Sequence, residues 1–311
     1  MSTKNEANVL QMIRAPFLSS IISPLLAGTF LSAHIQETFS IEGFLLVLIM
    51  GLGLHAATNT YNDIYDTLQG TDRVNRNRNE FSGGSGILIQ FPHLKNQMFR
   101  VARYSLLIAL AATIFLMFVI KRELWLHLWL LYLLSAFFSK YYTAVPFKLA
   151  GRGWGEVSVW FAFGPMAILI AAVSQNVGLH PHIIMLMPVT GISTLSILLI
   201  GQLIDKPADE QTGKHGVAVR AGGRFTAWLY ITVQLFLIIN IVTAAYFMQS
   251  GGRWLLLSVL PYLIILPAII PDLLQHHYNP GQLKSIAKKN VQLHLLFSLL
   301  LSAGLLIRFL R

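Results

Sequence analysis

Phe44-Leu45-Leu46-Val47-Leu48-Ile49-Met50-Gly51-Leu52-Gly53-Leu54 carries no charge, and it runs on into Asn59-Thr60-Tyr61-Asn62-Asp63-Ile64-Tyr65-Asp66-Thr67-Leu68-Gln69-Gly70-Thr71-Asp72. The apolar stretch as a whole, 40–62, matches the roughly 17–25 residues that a helix needs to cross the hydrocarbon core of a bilayer. It lacks the period-two alternation of a strand, and a helix satisfies its own backbone hydrogen bonds in lipid. The stretch therefore reads as a membrane helix whose end emerges as a dense set of oxygen ligands.

Eight further runs of similar character lie at 15–33, 99–120, 124–139, 155–173, 183–204, 225–248, 254–271 and 287–307. The chain of 311 residues is 55% hydrophobic and 12% charged, far below the roughly 25% charged content of a soluble domain. The expected fold is an all-α integral membrane protein, a bundle of about nine transmembrane helices. Residues 1–13 read as a short cytoplasmic tail and 14–311 as a single polytopic domain. The longest loop, 67–98, is too short and too polar to bury a core of its own. The first run reads as a retained signal anchor, although Ser32 and Ala33 resemble the small residues of a cleavage site.

Orientation follows from the basic residues. With the N-terminus inside, 18 of the 23 Lys and Arg residues fall on the cytoplasmic side, and only Lys121, Arg122, Arg253, Arg308 and Arg311 on the other. The formal charge of +10 is dispersed over short segments between apolar runs, which fits membrane topology and excludes a nucleic-acid face. Cysteine is absent, so any metal is held by oxygen or imidazole ligands.

On a continuing helix Asn62 and Asp66 are four apart and Asp63 and Asp66 three apart, so they share a face and can bind a hard cation together. Asp72 lies beyond the Gly70 break and has to fold back. The run 183–204 closes similarly, in Gln202-Leu203-Ile204-Asp205-Lys206-Pro207-Ala208-Asp209-Glu210-Gln211-Thr212-Gly213-Lys214, with Asp205 and Asp209 again four apart. Seven of the chain's 13 acidic residues fall in these two clusters or just beyond the first. Carboxylates so close to apolar segments are costly unless paired or metal-bound. The plainer alternative is that each cluster is a solvated helix end balancing nearby arginines.

Basic residues follow both clusters, Arg73, Arg76 and Arg78 after the first, Lys206, Lys214, Arg220 and Arg224 after the second. Such cations suit a diphosphate, although topology alone explains some of them. Ser82-Gly83-Gly84-Ser85-Gly86 is either a backbone cradle for phosphate or a hinge that lets the loop cap a cavity.

The two clusters resemble those of the UbiA-type intramembrane prenyltransferases: Asn62-Asp63-x-x-Asp66 with a third acid at Asp72, then Asp205-x-x-x-Asp209, Gly213-Lys214 and Val219-Arg220. Gly70 stands where many members place the third acid, and Pro207 where an acid often lies between the second pair. Tyr142-Thr143-Ala144-Val145-Pro146-Phe147, Gly151-Arg152-Gly153-Trp154-Gly155-Glu156 and Phe163-Gly164-Pro165 look like the branch that prenylates 1,4-dihydroxy-2-naphthoate in menaquinone synthesis.

The resemblance implies a lipid-open cavity with its active site at the cytoplasmic end, in a bacterial inner membrane. It also implies a polyprenyl diphosphate and an aromatic acceptor as partners within membrane lipid, and Mg2+ as cofactor. By the same resemblance Asn62, Asp66, Asp72, Asp205 and Asp209 are metal ligands, and Asp63, Asp66, Asp205, Asp209 and Lys214 form the catalytic set. Arg76, Lys148, Lys214 and Arg220 contact diphosphate. His55 reads either as an acceptor contact or as a satisfied interior histidine, and Glu156 either as an acceptor contact or as the i,i+4 partner of Arg152. Within the same superfamily the alternatives are a prenyltransferase with another acceptor or a terpene cyclase; a lipid or ion transporter is the rival class, but its acids belong near the bilayer midplane, not doubled at one surface.

Overall fold

A computed structural model of the chain describes residues 7–248 and 251–310. Eight of its helices are long and apolar enough to cross a membrane: α1 (Ala15–Gln36), α2 (Ile41–Gln69), α3 (Pro92–Met117), α5 (Gly155–Ser174), α6 (Pro181–Thr212), α7 (Gly223–Phe247), α8 (Gly252–His276) and α9 (Pro280–Leu310). The remaining expected span, 124–139, is α4 (Trp125–Tyr141), with 17 residues. At about 1.5 Å per residue it is about 26 Å long, short of a hydrocarbon core of about 30 Å. It is the shortest of the nine, which is why the count by length is eight.

The described residues form no named strand. Instead three apolar clusters run through the bundle. One gathers α6 to α9 with Ala27 and Leu31 of α1 and Ile168 of α5, and a second gathers α2, α3 and α4 with Leu25 of α1 and Ile170 of α5. Helices α1 and α5 thus belong to both halves. The third cluster, around Met12, Tyr61, Ile64, Leu88 and Met98, lies where α2 leaves the bundle.

Residues 1–6 of the expected tail, Lys4 among them, lie outside the described residues. The rest of it is docked on α2. Asn8 and Gln11 cap the turn Val9–Met12 reciprocally, Met12 is fully buried, and its carbonyl and that of Ile13 accept from Thr60 and Asn59 at 3.2 and 3.0 Å.

Helix α5 contains one π-helical turn, Ala162–Met166, around Pro165, and the Phe163 carbonyl accepts from the Thr190 hydroxyl of α6 at 2.8 Å. Glycines make this crossing close. A Cβ at Gly191 would sit 2.2 Å from the Trp160 carbonyl oxygen, and one at Gly164 would sit 2.4 Å from that of Met187. Backbone contact of this kind is how small residues lock membrane helices together. It fixes the course of α6, and therefore the position of its acidic end.

Gly191→Val is expected to force α5 and α6 apart at a cost of about 1–3 kcal/mol, read as a lower thermal unfolding midpoint in detergent. Gly178→Ala, where the added methyl would meet only Leu124 at 3.7 Å, is expected to leave that midpoint unchanged.

Candidate active site

Helix α2 stops at Gly70, whose backbone is left-handed at φ 92, and the chain turns back through Thr71–Val74. The Thr67 hydroxyl donates to Asp72 Oδ2 at 2.9 Å, so Asp72 folds back beside Asp66. Pro207 does not break α6, which carries Asp205 and Asp209 on one face as far as Thr212. Past Gly213 the Lys214 side chain crosses to the other motif, and its ammonium donates to Asp66 Oδ2 at 2.9 Å. One cation therefore joins the ends of α2 and α6.

Asn62, Asp66 and Asp72 from the first motif and Asp205, Asp209 and Lys214 from the second line a single cavity of about 220 Å3. Arg14, His55, Asn75, Ser82 and Tyr142 are also in its wall. Asp209 Oδ1 is buried without a hydrogen-bond partner. Among the described residues no three His, Asp or Glu side chains converge as a full metal cage. The donor set is thus all oxygen, with one orphaned carboxylate atom and open positions. It fits a hard cation that keeps waters or takes phosphate oxygens as its remaining ligands.

A second chamber, of about 90 Å3, shares His55, Thr58, Tyr142, Val159 and Phe163 with the first and continues between α1, α2, α4 and α5. Its wall is apolar, with Leu25, Met50, Leu54, Phe138 and Met166. His55 stands at the junction with its ring edge on Phe163, centroids 5.0 Å apart, and its Nδ1 has no partner. Together the two chambers suit an amphiphile with an anionic head and a hydrocarbon tail.

The loop between α2 and α3 closes over the carboxylates. Ser85 N–H donates to both oxygens of Asp63 at 3.2 and 3.3 Å, and Arg78 donates to the carbonyls of Gly83 and Asp72, each at 2.7 Å. Gly84 is left-handed, and a Cβ there would lie 3.0 Å from Asp72 and 3.1 Å from Asp63. The glycine-rich stretch is therefore a cover resting on the acids, with the Ser85 N–H spent on Asp63.

Several sequence-predicted residues lie elsewhere. Asp63, placed in the catalytic set, faces the loop and Arg14, whose guanidinium is 3.8 Å away, and does not line the cavity. Arg76 is exposed in an outer groove with Arg73 and Gln211. Lys148 sits in the α4–α5 connection, outside the cavity wall. Arg220 is half exposed and turns to Glu156 at 3.5 Å and to the Gly153 carbonyl at 3.3 Å. Glu156, in the first turn of α5, accepts from Gln202 at 2.8 Å and Val217 N–H at 2.7 Å, so it pins α5 to α6; its ion pair is with Arg220 and not with Arg152, and it lies outside the cavity wall. Conversely, Arg14 stands in the sequence as one of the 18 basic residues of the cytoplasmic side, with no motif around it. It is left-handed at φ 53, packs over Phe17 at 4.2 Å and lines the cavity.

Burial pushes the Asp72 carboxyl up to about 7, and Asp66 and Asp63 push the same way. Arg78, 4.0 Å away and committed to carbonyls, offsets this only in part. Burial disfavours the Lys214 ammonium, but Asp66 and Asp209 outweigh it and hold its pKa above the ordinary lysine value.

The family model described as the UbiA prenyltransferase family matches residues 21–278. A 2-carboxy-1,4-naphthoquinone phytyltransferase of Synechocystis is 24% identical over 297 residues, covering 95% of this chain and 92% of the relative. A 1,4-dihydroxy-2-naphthoate octaprenyltransferase of Bacillus subtilis is 22% identical over 97% of this chain and 93% of its own length. The fold is that of a UbiA homologue from Aeropyrum pernix, with TM-score 0.65 at 14% identity over 93% of this chain and 97% of that one. It is also that of a UbiA homologue from Archaeoglobus fulgidus bound to GPP and Mg2+, with TM-score 0.58 at 14% identity over 96% and 100%.

The folded protein holds the Asp72 proton up to about pH 7, whereas the unfolded chain releases it near the ordinary value of 3.8. The folded state thus binds more protons in that window, and without cations stability falls as pH rises from about 4 to about 7. The thermal midpoint in chelator is expected to be higher at pH 5.5 than at pH 7.5, with a smaller difference in Asp72→Asn. Because a cation takes the ionised carboxylate, its binding is expected to tighten as pH rises through about 7.

Proposed function

This chain belongs to the UbiA prenyltransferase family, and from that premise we propose that it transfers a polyprenyl group to 1,4-dihydroxy-2-naphthoate with Mg2+ as cofactor. The donor is an isoprenoid diphosphate, and the site faces the cytoplasm from a bacterial inner membrane. The observation that carries the reading is the adjoining pair of chambers, one lined by carboxylates and Lys214, the other by hydrocarbon, with His55 in the wall of both.

Asn62, Asp66, Asp72, Asp205 and Asp209 would hold the ion through oxygen, and the orphaned Asp209 Oδ1 leaves a free donor for it. When bound, Mg2+ supplies charge neutralisation for the diphosphate as the allylic C–O bond ionises. Lys214 and Arg14, the cations on the cavity wall, hold the diphosphate oxygens and offset the charge that grows on them as they depart. Arg76, Lys148 and Arg220, which face elsewhere, are left out of this set. The apolar wall of Leu54, Phe138 and Phe163 keeps water from the allylic cation until the acceptor ring carbon attacks. His55, with its unpartnered Nδ1 at the junction, orients an acceptor hydroxyl. Carboxylate leaves the attacked carbon as carbon dioxide, or a proton leaves it, and aromaticity returns.

The acceptor assignment is supported by the two relatives, whose names carry naphthoate and naphthoquinone substrates. The test is prenyl transfer from a labelled polyprenyl diphosphate by purified protein in detergent, with product read by mass. Prenylated naphthoquinol is expected with Mg2+ and not with chelator, and Asp66→Ala and Asp205→Ala are each expected to lower kcat by about 10²-fold or more. Turnover of 4-hydroxybenzoate in preference to the naphthoate would reassign the acceptor, and full activity in chelator would end the metal assignment.

A further inference from the structure

The four cavity acids are not held alike. Asp66 is paired with a cation, Lys214, and Asp72 takes the Thr67 hydroxyl. Asp209 has an oxygen with no partner at all. Asp205 is gripped on both oxygens by neutral donors, and both come from the loop of the opposite motif. Asn75 Nδ2 donates to Asp205 Oδ1 at 2.8 Å, and the Ser82 hydroxyl donates to Oδ2.

Both donors are themselves fixed. Asn75 Oδ1 accepts from Asn77 N–H at 2.9 Å, which leaves its amide nitrogen to face Asp205. Ser82 is delivered by a two-way backbone bridge with Asn79, at 3.0 and 3.3 Å, and Arg78 ties the same loop to the Gly83 and Asp72 carbonyls. An ionised carboxylate has about four lone-pair sites. One donor on each oxygen leaves one site on each, and a neutral donor adds no positive charge that would compete with a cation. This is the arrangement by which an outer layer of donors orients a metal ligand without competing with it.

We propose that Asn75 and Ser82 are positioning residues, which hold Asp205 so that its remaining lone pairs face the cavity and a divalent cation. The inference rests on the reading of Asp205 as a cation ligand. It gives the loop between α2 and α3 a role beyond covering: the first motif's loop sets the geometry of the second motif's acid.

The test is Mn2+ binding to the full chain in detergent, without substrate, followed by the electron paramagnetic resonance of free Mn2+, with thermal midpoints measured in parallel. Asn75→Ala and Ser82→Ala are each expected to raise the Kd about tenfold, while Ser82→Thr, which keeps the donor, stays near the native value. Glu80→Gln, which cuts the exposed loop contact to Lys284 at 2.9 Å, is the control and is expected to leave the Kd unchanged. Unchanged or tighter binding in Asn75→Ala and Ser82→Ala, with weak binding in Asp205→Asn, would overturn the positioning role alone, and tighter binding would make the loop a latch that cations must displace. An equal loss in Glu80→Gln would overturn it too, as general loosening of the loop. Native binding in Asp205→Asn would remove the ligand assignment itself, and the inference with it.

Discussion

The contact between Lys214 and Asp66, 2.9 Å long, is the interaction on which the site's assembly depends. It spans two motifs 148 positions apart in the chain and joins the ends of helices that belong to different apolar clusters. Four acids gathered on one cavity repel one another, and their surroundings are too apolar for water to screen them. A single ammonium cannot neutralise them all. The residual negative charge is what makes the site receptive to divalent cations, and Arg14, the second cation on the wall, also lies 3.8 Å from Asp63.

The lacing around this contact is neutral. Thr71 and Thr212 hydroxyls meet at 3.0 Å, and Asn75 and Ser82 reach Asp205. Gln69 donates to the Thr143 carbonyl at 2.8 Å, and Gln202 to Glu156 at the same distance. The neutral bonds are each worth about 0.5–1.5 kcal/mol net and those onto the Asp205 and Glu156 carboxylates about 1.5–3, and together they hold the helix ends and their neighbours in register without adding cations. A site laced by further salt bridges would have been closer to electroneutral and poorer at drawing cations in.

The spans and the two acidic faces were legible in the sequence, because hydropathy and the i,i+4 rule need only local spacing. Asn62 with Asp66, and Asp205 with Asp209, share the cavity as that rule requires. Asp63, 100° around the helix from Asn62 by the 3.6-residue period, faces the loop instead, and only the loop's path reveals what it meets. The cations were less legible. Arg76 and Arg220 stand beside the motifs in sequence and turn outward, whereas Arg14 looks like any charge at a membrane edge and turns inward through a left-handed backbone. Glu156 reads as a partner for Arg152 by spacing, but the turn at Val217 and the side chain of Gln202 reach it first. Side-chain direction at a helix end depends on tertiary neighbours, and no window of sequence contains them.

The division of the bundle has a further consequence. The first motif stands on α2, packed with α3 and α4, and the second on α6, packed with α7, α8 and α9, while α1 and α5 contribute to both clusters. The glycine crossing of α5 and α6 fixes one side of the cleft rigidly. The other side is held by Lys214 and by a loop of polar contacts, the weaker class of bond. A ligand touching both motifs would therefore span the polar side of the cleft. A cation and a diphosphate bound between them would stabilise the folded protein by mass action, and would do so by bolting together two halves that the apolar clusters alone leave joined through shared helices.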